Sequence, residues 1–423
     1  MSVARQKVLI LGGGFAGLAT AQTLDAQRFE VTLLDRRNFH LFQPLLYQVA
    51  TGSMDASDIA TPLREILETT GVLVRMEDVV RIEIAERVVK TASAASYAYD
   101  YLIVATGVSH SYFGHEEWRN VAPGLKTLED AFKIRAKVLS ALELAERQPL
   151  GSDIKRQLRF IVIGGGPTGI ELAGAIGELT GQSIAREFSR FNPGDAEIIL
   201  IEAGPRILAP YSSALAANAV TALGKLGVEV RCNCKVTAVS DIGVVIQTKG
   251  GEEIIECATV IWAAGVQVSP LGAHLIEVAG ITPGPGGRIQ VDADFRLPSH
   301  PEIFAIGDLA AYAHQTQPLP GLAPAASQAG KHVAQLLNEG KVAPFHYNNQ
   351  GQLAVVGRNA AVGIIWGREV HGNLAWLLWL LVHIRGLIGF DVKLKVMLGW
   401  GWKYFTARFG TRLITRVEDA EQR

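Results

Sequence analysis

Residues 7–20, KVLILGGGFAGLAT, constrain the fold of this chain more than any other segment. Apolar residues typical of a strand lead directly into Gly12, Gly14 and Gly17, and small residues typical of a helix follow. Glycines at this spacing allow a tight turn and bring the backbone close to a pyrophosphate, whose charge the helix N-terminus stabilises. The next predicted strand ends in Asp35, near the spacing of roughly 20 residues expected for a carboxylate that binds an adenine ribose. The sequence therefore predicts a dinucleotide site.

The same pattern recurs in residues 159–179, RFIVIGGGPTGIELAGAIGEL. Its glycines repeat the first spacing at Gly164, Gly166 and Gly169. The next predicted strand ends in Glu202, and we assign the longer spacing in this copy to a helical extension and turn over 180–195. Apolar strands that end in glycine also correspond, at 102–107 and 260–265. The chain therefore contains two predicted nucleotide-binding units.

A third apolar strand, EIFAIGD, ends in Asp308 and has no glycine motif beside it. We therefore predict that it returns to the first unit and places Asp308 at the nucleotide bound there. The predicted domains are a first nucleotide unit over 1–115 and 271–340, a second over 116–270, and a C-terminal domain over 341–423.

Composition excludes several classes of protein. The formal net charge of −1 gives no reason to expect binding to nucleic acid, and no run of 18 uncharged apolar residues predicts a spanning helix. The N-terminus enters the first predicted strand directly, so we expect no signal or transit peptide. Because the cysteines lack C-x-x-C spacing and a nearby histidine cluster, we expect reduced thiols and no metal site at Cys232, Cys234 and Cys257.

The C-terminal region combines apolar, aromatic and basic residues. Residues 374–384, LAWLLWLLVHI, are too few to span a bilayer, which takes about 20 residues. In a predicted helical region of about 373–417, a second helix over 392–417 places an apolar stripe at Leu394, Leu398, Trp402, Phe405, Phe409 and Leu413. A basic row lies beside it at Arg408, Arg412 and Arg416, and a bend is predicted at Gly399 and Gly401. Such helices suit an anionic membrane surface, and the alternative is packing on the core or in a homodimer interface.

Two dinucleotide units in one chain indicate that two nucleotides meet, and hydride transfer between a nicotinamide and a flavin is the obvious use. Over nearly its full length the chain resembles the two-dinucleotide-domain flavoprotein reductases. Within them it resembles the type II NADH dehydrogenases, which are NADH:quinone oxidoreductases that do not pump protons. The resemblance is carried by residues 38–52, 102–118, 163–179, 260–270, 303–310 and the segment from Asn373 onward.

The resemblance implies an α/β fold with two Rossmann-like dinucleotide-binding domains, for FAD and NADH, plus a C-terminal amphipathic helical region that anchors the protein to a membrane. The implied FAD contacts are Gly12, Gly14, Phe15, Ala16, Gly17, Asp35, Arg36, Ala105, Thr106, Gly107 and Asp308. The implied NADH contacts are Gly164, Gly166, Pro167, Thr168, Gly169, Glu202, Ala264 and Gly265. Glu202 favours NADH, because the 2′-phosphate of NADPH would meet a carboxylate, although Arg206 lies nearby.

The resemblance also implies two catalytic residues, Glu171 and Gln328. Glu171 either complements the dipole of its helix or, as the resemblance favours, reaches the junction of flavin and nicotinamide. There it would help to position NADH or to handle quinone protons. Members of the family often carry an Ala-Gln-x-Ala-x-Gln pattern, which here reads APAASQ. Pro324 thus replaces the first glutamine and offers neither an amide side chain nor a backbone N–H. The expected quinone pocket comprises Gln43, Tyr47, Pro324, Ala325 and Gln328.

Two other functions stay open at this point. A sulfide:quinone oxidoreductase needs redox cysteines near the flavin, whereas the cysteines here lie between positions 232 and 257, in the second unit. The other is a non-enzymatic NADH-binding protein that docks on membranes. We expect bound FAD, NADH and a quinone as substrates, and a peripheral, monotopic location on the cytoplasmic side of the cell's inner (plasma) membrane.

Overall fold

A computed structural model describes residues 5–184, 187–312, 319–406 and 410–414. The chain divides into two compact units. The first comprises Met1–Leu41, Ala60–Ser109 and Val266–Asn349, and the second comprises Phe42–Ile59, His110–Gly265 and Gln350–Arg423. Each unit therefore contains one of the two glycine motifs.

The α-helices of the described residues are numbered in chain order. They are α1 Phe15–Thr23, α2 Leu46–Ala50, α3 Leu63–Ile66, α4 Leu128–Glu146, α5 Pro167–Glu178, α6 Ser213–Lys225, α7 Pro270–Val278, α8 Ala323–Glu339, α9 Gly372–Gly386 and α10 Phe390–Thr406.

The strands are numbered in the same way. The strands that precede the second glycine motif are β1 Gln6–Leu11, β2 Phe29–Asp35, β3 Phe39–Leu41, β4 Ala60–Pro62, β5 Leu73–Met76, β6 Val79–Glu83, β7 Val88–Thr91, β8 Ser96–Ala98, β9 Tyr101–Val104, β10 Val108–His110 and β11 Arg159–Ile163. Those that follow are β12 Glu197–Ile201, β13 Val228–Arg231, β14 Lys235–Ser240, β15 Gly243–Thr248, β16 Gly251–Glu256, β17 Thr259–Trp262, β18 Val266–Val268, β19 Ile289–Gln290, β20 Arg296–Leu297, β21 His300–Ala305, β22 Ala310–Ala311, β23 Gly351–Gly357, β24 Ala360–Ile365 and β25 Arg368–His371.

The first unit is built on a six-stranded sheet with the order β20-β21-β9-β1-β2-β5. Its central strand, β1, is parallel to β2 and β9, and Ile10 lies opposite Leu33 and Ile103 in a fully buried row. Strand β21 pairs in parallel with β9, so the third apolar strand returns to the first unit as the sequence predicted. This arrangement brings the carboxyl ends of β1, β9 and β21 to one edge of the sheet.

Helices α1 and α8 of the first unit pack closely because of Gly330. A Cβ at this position would overlap the carbonyl oxygen of Ala16. The hydroxyl of Thr20 lies 2.9 Å from the carbonyl oxygen of Ala16 and 3.2 Å from that of Gly330, and it can donate its one proton to either helix. A helix far along the sequence is thereby fixed against the helix that follows the first glycine motif.

The second unit repeats the parallel core with the strand order β13-β12-β11-β17. Ile161 of β11 lies between Ile199 and Val260 of the neighbouring strands, and all three are buried. The antiparallel sheets β14-β15-β16 and β23-β24-β25 also belong to this unit. The predicted extension over 180–195 contains a π-helical turn, Leu179–Ser183, and a short 3₁₀ turn, Pro193–Asp195, while residues 185–186 lie outside the described residues.

Strand β23 lies directly against α5 because Gly174 has no side chain. A Cβ on Gly174 would overlap the carbonyl oxygen of Val356. Strand β24 in turn packs against α9, and α9 against α10. The glycine on α5 therefore positions the whole C-terminal layer of the second unit.

The C-terminal helices differ in length from the prediction. Helix α10 ends at Thr406, and residues 410–414 are not helical, so the predicted extension to residue 417 is wrong. Helix α10 continues through Gly399 and Gly401, and the bend predicted at these glycines stays a prediction. No atom lies within 4 Å of the Cβ position of either glycine, so neither is required by close packing.

The predicted basic row is only partly described by the structure. Arg412 forms an ion pair with Glu187 at 2.5 Å, so it serves a contact within the second unit. Arg408, Phe409 and Arg416 lie outside the described residues. Among the described helices, none is both long enough and apolar enough to cross a bilayer.

The close approach at Gly174 predicts opposite effects for two glycine-to-alanine changes. Gly174→Ala is expected to lower the free energy of unfolding by about 1–3 kcal/mol, because the methyl group overlaps the backbone of β23. Gly399→Ala is the matched control in α10 and is expected to raise helix stability by about 0.5–1 kcal/mol. Urea unfolding measures both, and equal effects of the two changes would contradict the packing described.

Candidate functional site

The first glycine motif forms the turn between β1 and α1. Gly12 has φ +101°, and a Cβ there would lie 2.6 Å from the carbonyl oxygen of Ala105. A Cβ on Gly17 would overlap the carbonyl oxygen of Gly12. Gly14 has no atom within 4 Å of its Cβ position. The outer glycines are thus required by conformation and packing, whereas the middle one leaves the backbone open to a ligand.

Asp35 holds this loop through both of its carboxylate oxygens. Its Oδ2 accepts the N–H of Gly13 at 2.6 Å, and its Oδ1 accepts the N–H of Arg37 at 2.7 Å. His40 contacts the carbonyl oxygen of Gly13 through Nδ1 at 2.9 Å, and burial lowers the pKa of its imidazole. The carboxylate therefore shapes the loop and keeps free lone pairs for a ribose hydroxyl.

The other predicted FAD contacts lie in the same unit. Thr106 follows β9, and its hydroxyl shares a hydrogen bond of 2.7 Å with Ser269. Asp308 lies in a 3₁₀ turn, Gly307–Leu309, directly after β21 and is half-buried. The remaining contacts follow the strands and helix already described, at Phe15, Ala16, Arg36, Ala105 and Gly107. Arg36 is exposed.

The second glycine motif repeats this geometry between β11 and α5. Gly164 has φ +110°, a Cβ on Gly169 would overlap the carbonyl oxygen of Gly164, and Gly166 faces open space. Glu202 accepts the N–H of Gly165 at 2.7 Å through Oε2 and the N–H of Gly204 at 2.6 Å through Oε1. The acid at the end of the second strand thus plays the same structural part in both units.

Arg206 is committed to the backbone in this structure. Its guanidinium donates to the carbonyl oxygens of Tyr211 at 2.6 Å and Ala209 at 2.8 Å. A 2′-phosphate would need this guanidinium to leave those bonds. The contacts therefore favour Glu202, and with it a nucleotide that carries a free ribose hydroxyl.

The sequence analysis missed Phe113, whose ring lies against the segment that follows strand β17. Gly265 has φ +75°, and the ring of Phe113 lies 2.5 Å from its Cβ position. Phe113 itself has φ +53° and is 67% exposed, an unusual combination for an aromatic residue. Gly265 is thus covered by an aromatic side chain on a strained turn, and that backbone strain leaves no trace in residue spacing.

The second unit contains a cavity of about 410 Å³. Its walls come from α2, α5, the end of β23, α9 and α10. Aromatic side chains form much of the lining, at Tyr47, Trp376, Trp379, Trp400, Tyr404 and Phe405. A smaller cavity of about 90 Å³ lies beside it and is lined by Gln43, Tyr47, Thr168 and Glu171 among others. Tyr47 and Glu171 face both.

Glu171 is the acid between the two cavities. Burial raises the pKa of its carboxyl to about 8, and a backbone hydrogen bond from Val355 opposes that rise. The group is therefore a neutral acid at neutral pH and can offer a proton to a ligand. Burial thus disfavours the charged carboxylate that would complement the helix dipole, and both roles of Glu171 stay predictions.

Glu178 lies two helical turns beyond Glu171 and lines the larger cavity. Burial raises its pKa, while a hydrogen bond from the backbone N–H of Arg358 and the charge of that guanidinium oppose the rise. The guanidinium also lies over the ring of Tyr404, 4.2 Å from its centroid. The sequence signal for Glu178 was its spacing of seven from Glu171 on an apolar helix.

Aromatic stacking closes the other end of the cavity. Trp379 stacks on His383 with ring centroids 4.2 Å apart and packs against Trp400 at 5.5 Å. His383 donates from Nδ1 to the carbonyl oxygen of Trp379 at 2.7 Å, and burial lowers its pKa to about 4. The imidazole is therefore neutral. The indole N–H of Trp379 is buried and finds no acceptor in the described part of the chain.

The residues predicted for a quinone pocket fall in both units. Tyr47 and Gln43 line the cavities of the second unit, and the Gln43 amide donates to the carbonyl oxygen of Lys126 at 3.1 Å. Pro324, Ala325 and Gln328 belong to α8 of the first unit. The Gln328 amide accepts the N–H of Asn348 at 2.9 Å and donates to its carbonyl oxygen at 3.1 Å.

Comparison with known proteins shows the family. The model described as pyridine nucleotide-disulphide oxidoreductase matches residues 6–330. A Mycobacterium tuberculosis protein named type II NADH:quinone oxidoreductase NdhA is 37% identical over 425 residues, which cover 97% of this chain and 90% of the relative.

Solved structures share the fold at lower identity. NDH2 from Plasmodium falciparum in complex with NADH superposes with a TM-score of 0.88 at 19% identity, over 98% of this chain and 100% of that one. The sulfide:quinone oxidoreductase of Aquifex aeolicus reaches 0.70 at 18% identity, over 96% and 92%. These two likenesses are evidence for the fold alone.

The raised pKa of Glu171 predicts how stability depends on pH. The folded state keeps this proton up to about pH 8, whereas the unfolded chain loses it near the ordinary value of 4.5. Between these values unfolding releases a proton, so the wild type loses stability as the pH rises. Glu171→Gln removes that loss, so its melting temperature relative to wild type is expected to rise by several degrees from about pH 5 to pH 8. Glu143→Gln, on the exposed face of α4, is the control. Parallel pH curves for wild type and Glu171→Gln would contradict a neutral Glu171.

Proposed function

Because this chain belongs to the pyridine nucleotide-disulphide oxidoreductases and, within them, to the type II NADH:quinone oxidoreductases, we propose that it oxidises NADH with a bound FAD and passes two electrons to a membrane quinone. The observation that carries the proposal is the aromatic cavity beside α5, with neutral Glu171 in its wall. No ion pumping is part of the proposed reaction.

The first unit fits FAD. Gly14 leaves the backbone open where a pyrophosphate approaches, and Asp35 offers lone pairs to a ribose hydroxyl. Thr106 and Asp308 are the proposed contacts at the ends of β9 and β21. When bound, FAD supplies the acceptor for a hydride and the donor of electrons to a quinone.

The second unit fits NADH. Gly166 provides the open backbone, and Glu202 provides the carboxylate for a ribose hydroxyl. Pro167 begins helix α5, and Thr168 follows it at the edge of the smaller cavity, at the N-terminus that attracts phosphate. Ala264 and Gly265, the second of which lies under Phe113, are the proposed contacts nearer the nicotinamide.

The larger cavity is the proposed route for a quinone. Its lining is mainly aromatic, and its polar groups include donors suited to carbonyl oxygens, namely the carboxyl of Glu171, the hydroxyl of Tyr47 and the indole N–H of Trp379. Reduction of a quinone to a quinol takes up two protons, and a carboxyl with a pKa of about 8 releases one readily near neutral pH. The assignment of Gln43, Pro324, Ala325 and Gln328 to the quinone pocket stays a prediction.

The C-terminal helices are the proposed membrane contact. Leu381 of α9 is 58% exposed and Phe405 of α10 is 85% exposed, although both helices also bury apolar residues against the unit. Further exposed apolar side chains are Leu374, Leu377, Val382, Phe390, Leu398 and Trp402. A helix pair that is apolar on its outer face suits the interface of an anionic bilayer, which we place on the cytoplasmic side of the inner (plasma) membrane. The alternative partner for this face is a second copy of the chain.

Sulfide oxidation is disfavoured by the state of the cysteines. All three lie in the second unit, between positions 232 and 257. Burial raises the pKa of each thiol, to about 11 for Cys257. A raised thiol pKa suppresses the thiolate that attack on sulfur needs.

The proposed reaction predicts a preference between nucleotides. NADH is expected to bleach the flavin absorbance of the purified protein at an equimolar ratio, and a quinone to restore it. NADPH is expected to act at least about tenfold more slowly, because its 2′-phosphate would meet the Glu202 carboxylate. Stopped-flow absorbance measures both rates. A purified protein without flavin absorbance would leave only the interpretation as a non-enzymatic NADH-binding protein. Equal rates of flavin reduction by NADH and NADPH would refute the role of Glu202.

The proposed membrane contact predicts a selective loss of vesicle binding. Phe405→Asp is expected to weaken co-sedimentation with vesicles of anionic phospholipid by about tenfold or more, because a charge replaces an inserted ring. Ile254→Asp makes the same kind of change on strand β16, where the side chain is 66% exposed, and is expected to have no effect. If the wild-type protein does not bind vesicles and Phe405→Asp converts it to a smaller species in solution, the face is assigned to contact with a second copy of the chain.

A further inference from the structure

Gln48 of α2 lies in the wall of the larger cavity and was not among the residues predicted for any site. It is buried and hydrogen-bonded at both ends of its amide. Its Oε1 accepts the indole N–H of Trp400 at 3.0 Å, and its Nε2 donates to the hydroxyl oxygen of Tyr47 at 3.0 Å. The three side chains form a linear hydrogen-bonded chain from α10 to α2.

The chemistry of Trp400 fixes the direction of this chain. An indole N–H only donates, so the atom of Gln48 that faces it must be the oxygen. The opposite orientation of the amide would set two donors against each other. The NH₂ group of Gln48 therefore faces Tyr47 and donates to it.

The proton of the Tyr47 hydroxyl is consequently excluded from the bond with Gln48. Tyr47 lines both cavities, and among the described residues its hydroxyl has no hydrogen-bond partner other than Gln48. Burial, together with the nearby carboxyl groups of Glu171 and Glu178, raises its pKa well above the ordinary value, so the hydroxyl keeps its proton. Tyr47 is thus an obligatory donor on the cavity side.

The ends of the chain are held by packing. The Trp400 ring lies against Trp379, with centroids 5.5 Å apart. Helix α10 is tied to the turn after α2 by an ion pair between Lys395 and Asp58 at 2.6 Å. The orientation of the Tyr47 hydroxyl therefore depends on the placement of α10. Trp400 on that helix is 352 residues from Gln48 in the sequence.

We propose that Trp400 and Gln48 are positioning residues for quinone reduction, which hold the Tyr47 hydroxyl as a hydrogen-bond donor toward a quinone carbonyl oxygen in the cavity. This inference rests on the proposed function of the cavity as the quinone site. Neither residue touches the quinone carbonyl in this arrangement. Their part is to deny Tyr47 an acceptor within the protein, so that its donor remains available to the ligand.

The test uses Trp400→Phe in the FAD-loaded, full-length protein. The change keeps an aromatic ring against Trp379 but removes the N–H, so Gln48 can rotate and accept the proton of Tyr47. Reoxidation of the reduced enzyme by a short-chain benzoquinone is expected to slow about tenfold, the usual effect of losing one hydrogen bond at a reacting group. Reduction of the flavin by NADH is expected to stay unchanged.

Two further variants separate positioning from structure. Trp366→Phe makes the same change at an exposed position of the second unit outside both cavities, and it is expected to leave both half-reactions unchanged. Tyr47→Phe is expected to slow reoxidation as much as Trp400→Phe does. The double variant is expected to be no slower than Tyr47→Phe alone, because the tryptophan acts only through the tyrosine.

The outcomes distinguish the inference from the function on which it rests. A wild-type enzyme that a quinone does not reoxidise would remove the proposed function itself. A wild type that turns over, with Trp400→Phe as fast as Trp366→Phe, would overturn the positioning role alone. Additive losses in the double variant would also overturn it, since they would show that Trp400 acts independently of Tyr47.

Discussion

The fold of each unit depends on one carboxylate that holds a glycine loop. Asp35 accepts the N–H of Gly13, and Glu202 accepts the N–H of Gly165, at almost the same distance. The loops have no side chains to pack, so the acid at the end of the neighbouring strand supplies the contact that orders their backbone. In the proposed function the same carboxylates also bind a ribose. One interaction would then set both the structure of the turn and the place of the nucleotide.

Helix α5 connects the two ends of the proposed reaction within the second unit. Its N-terminus follows the glycine loop, and its side carries Glu171 and, two turns later, Glu178. Gly174 between them lets β23 lie against the helix, and the C-terminal helices pack on that layer. A single rigid helix thus fixes the distance between the nucleotide loop and the acid in the cavity. Substitutions at the small residues of α5 are therefore expected to shift both the nucleotide loop and the acid in the cavity.

Burial controls the charge of several groups in and around the cavity. An apolar enclosure disfavours charge, which keeps the carboxyl of Glu171 protonated and the imidazole of His383 unprotonated near neutral pH. Lys403 obeys the same rule, since burial lowers the pKa of its ammonium to about 8 against the opposing charges of Asp55 and Asp58. Neutral donors in an aromatic enclosure suit an uncharged ligand with carbonyl acceptors. The exposed outer faces of α9 and α10 suit the lipid in which such a ligand dissolves.

The sequence by itself determined the features whose physics is local. The positive φ at Gly12 and Gly164 is local to each turn. Asp35 and Glu202 end the strand that follows each motif helix, so the repeated order of strand, glycines, helix and acid was enough to find them. The tertiary structure alone decided the rest. Distant segments meet in the bond between Gln48 and Trp400 and in the ion pair between Arg412 and Glu187. The burial that keeps Glu171 neutral likewise depends on segments far from it in sequence. No residue pattern reports such contacts, because each depends on where packing brings the second segment.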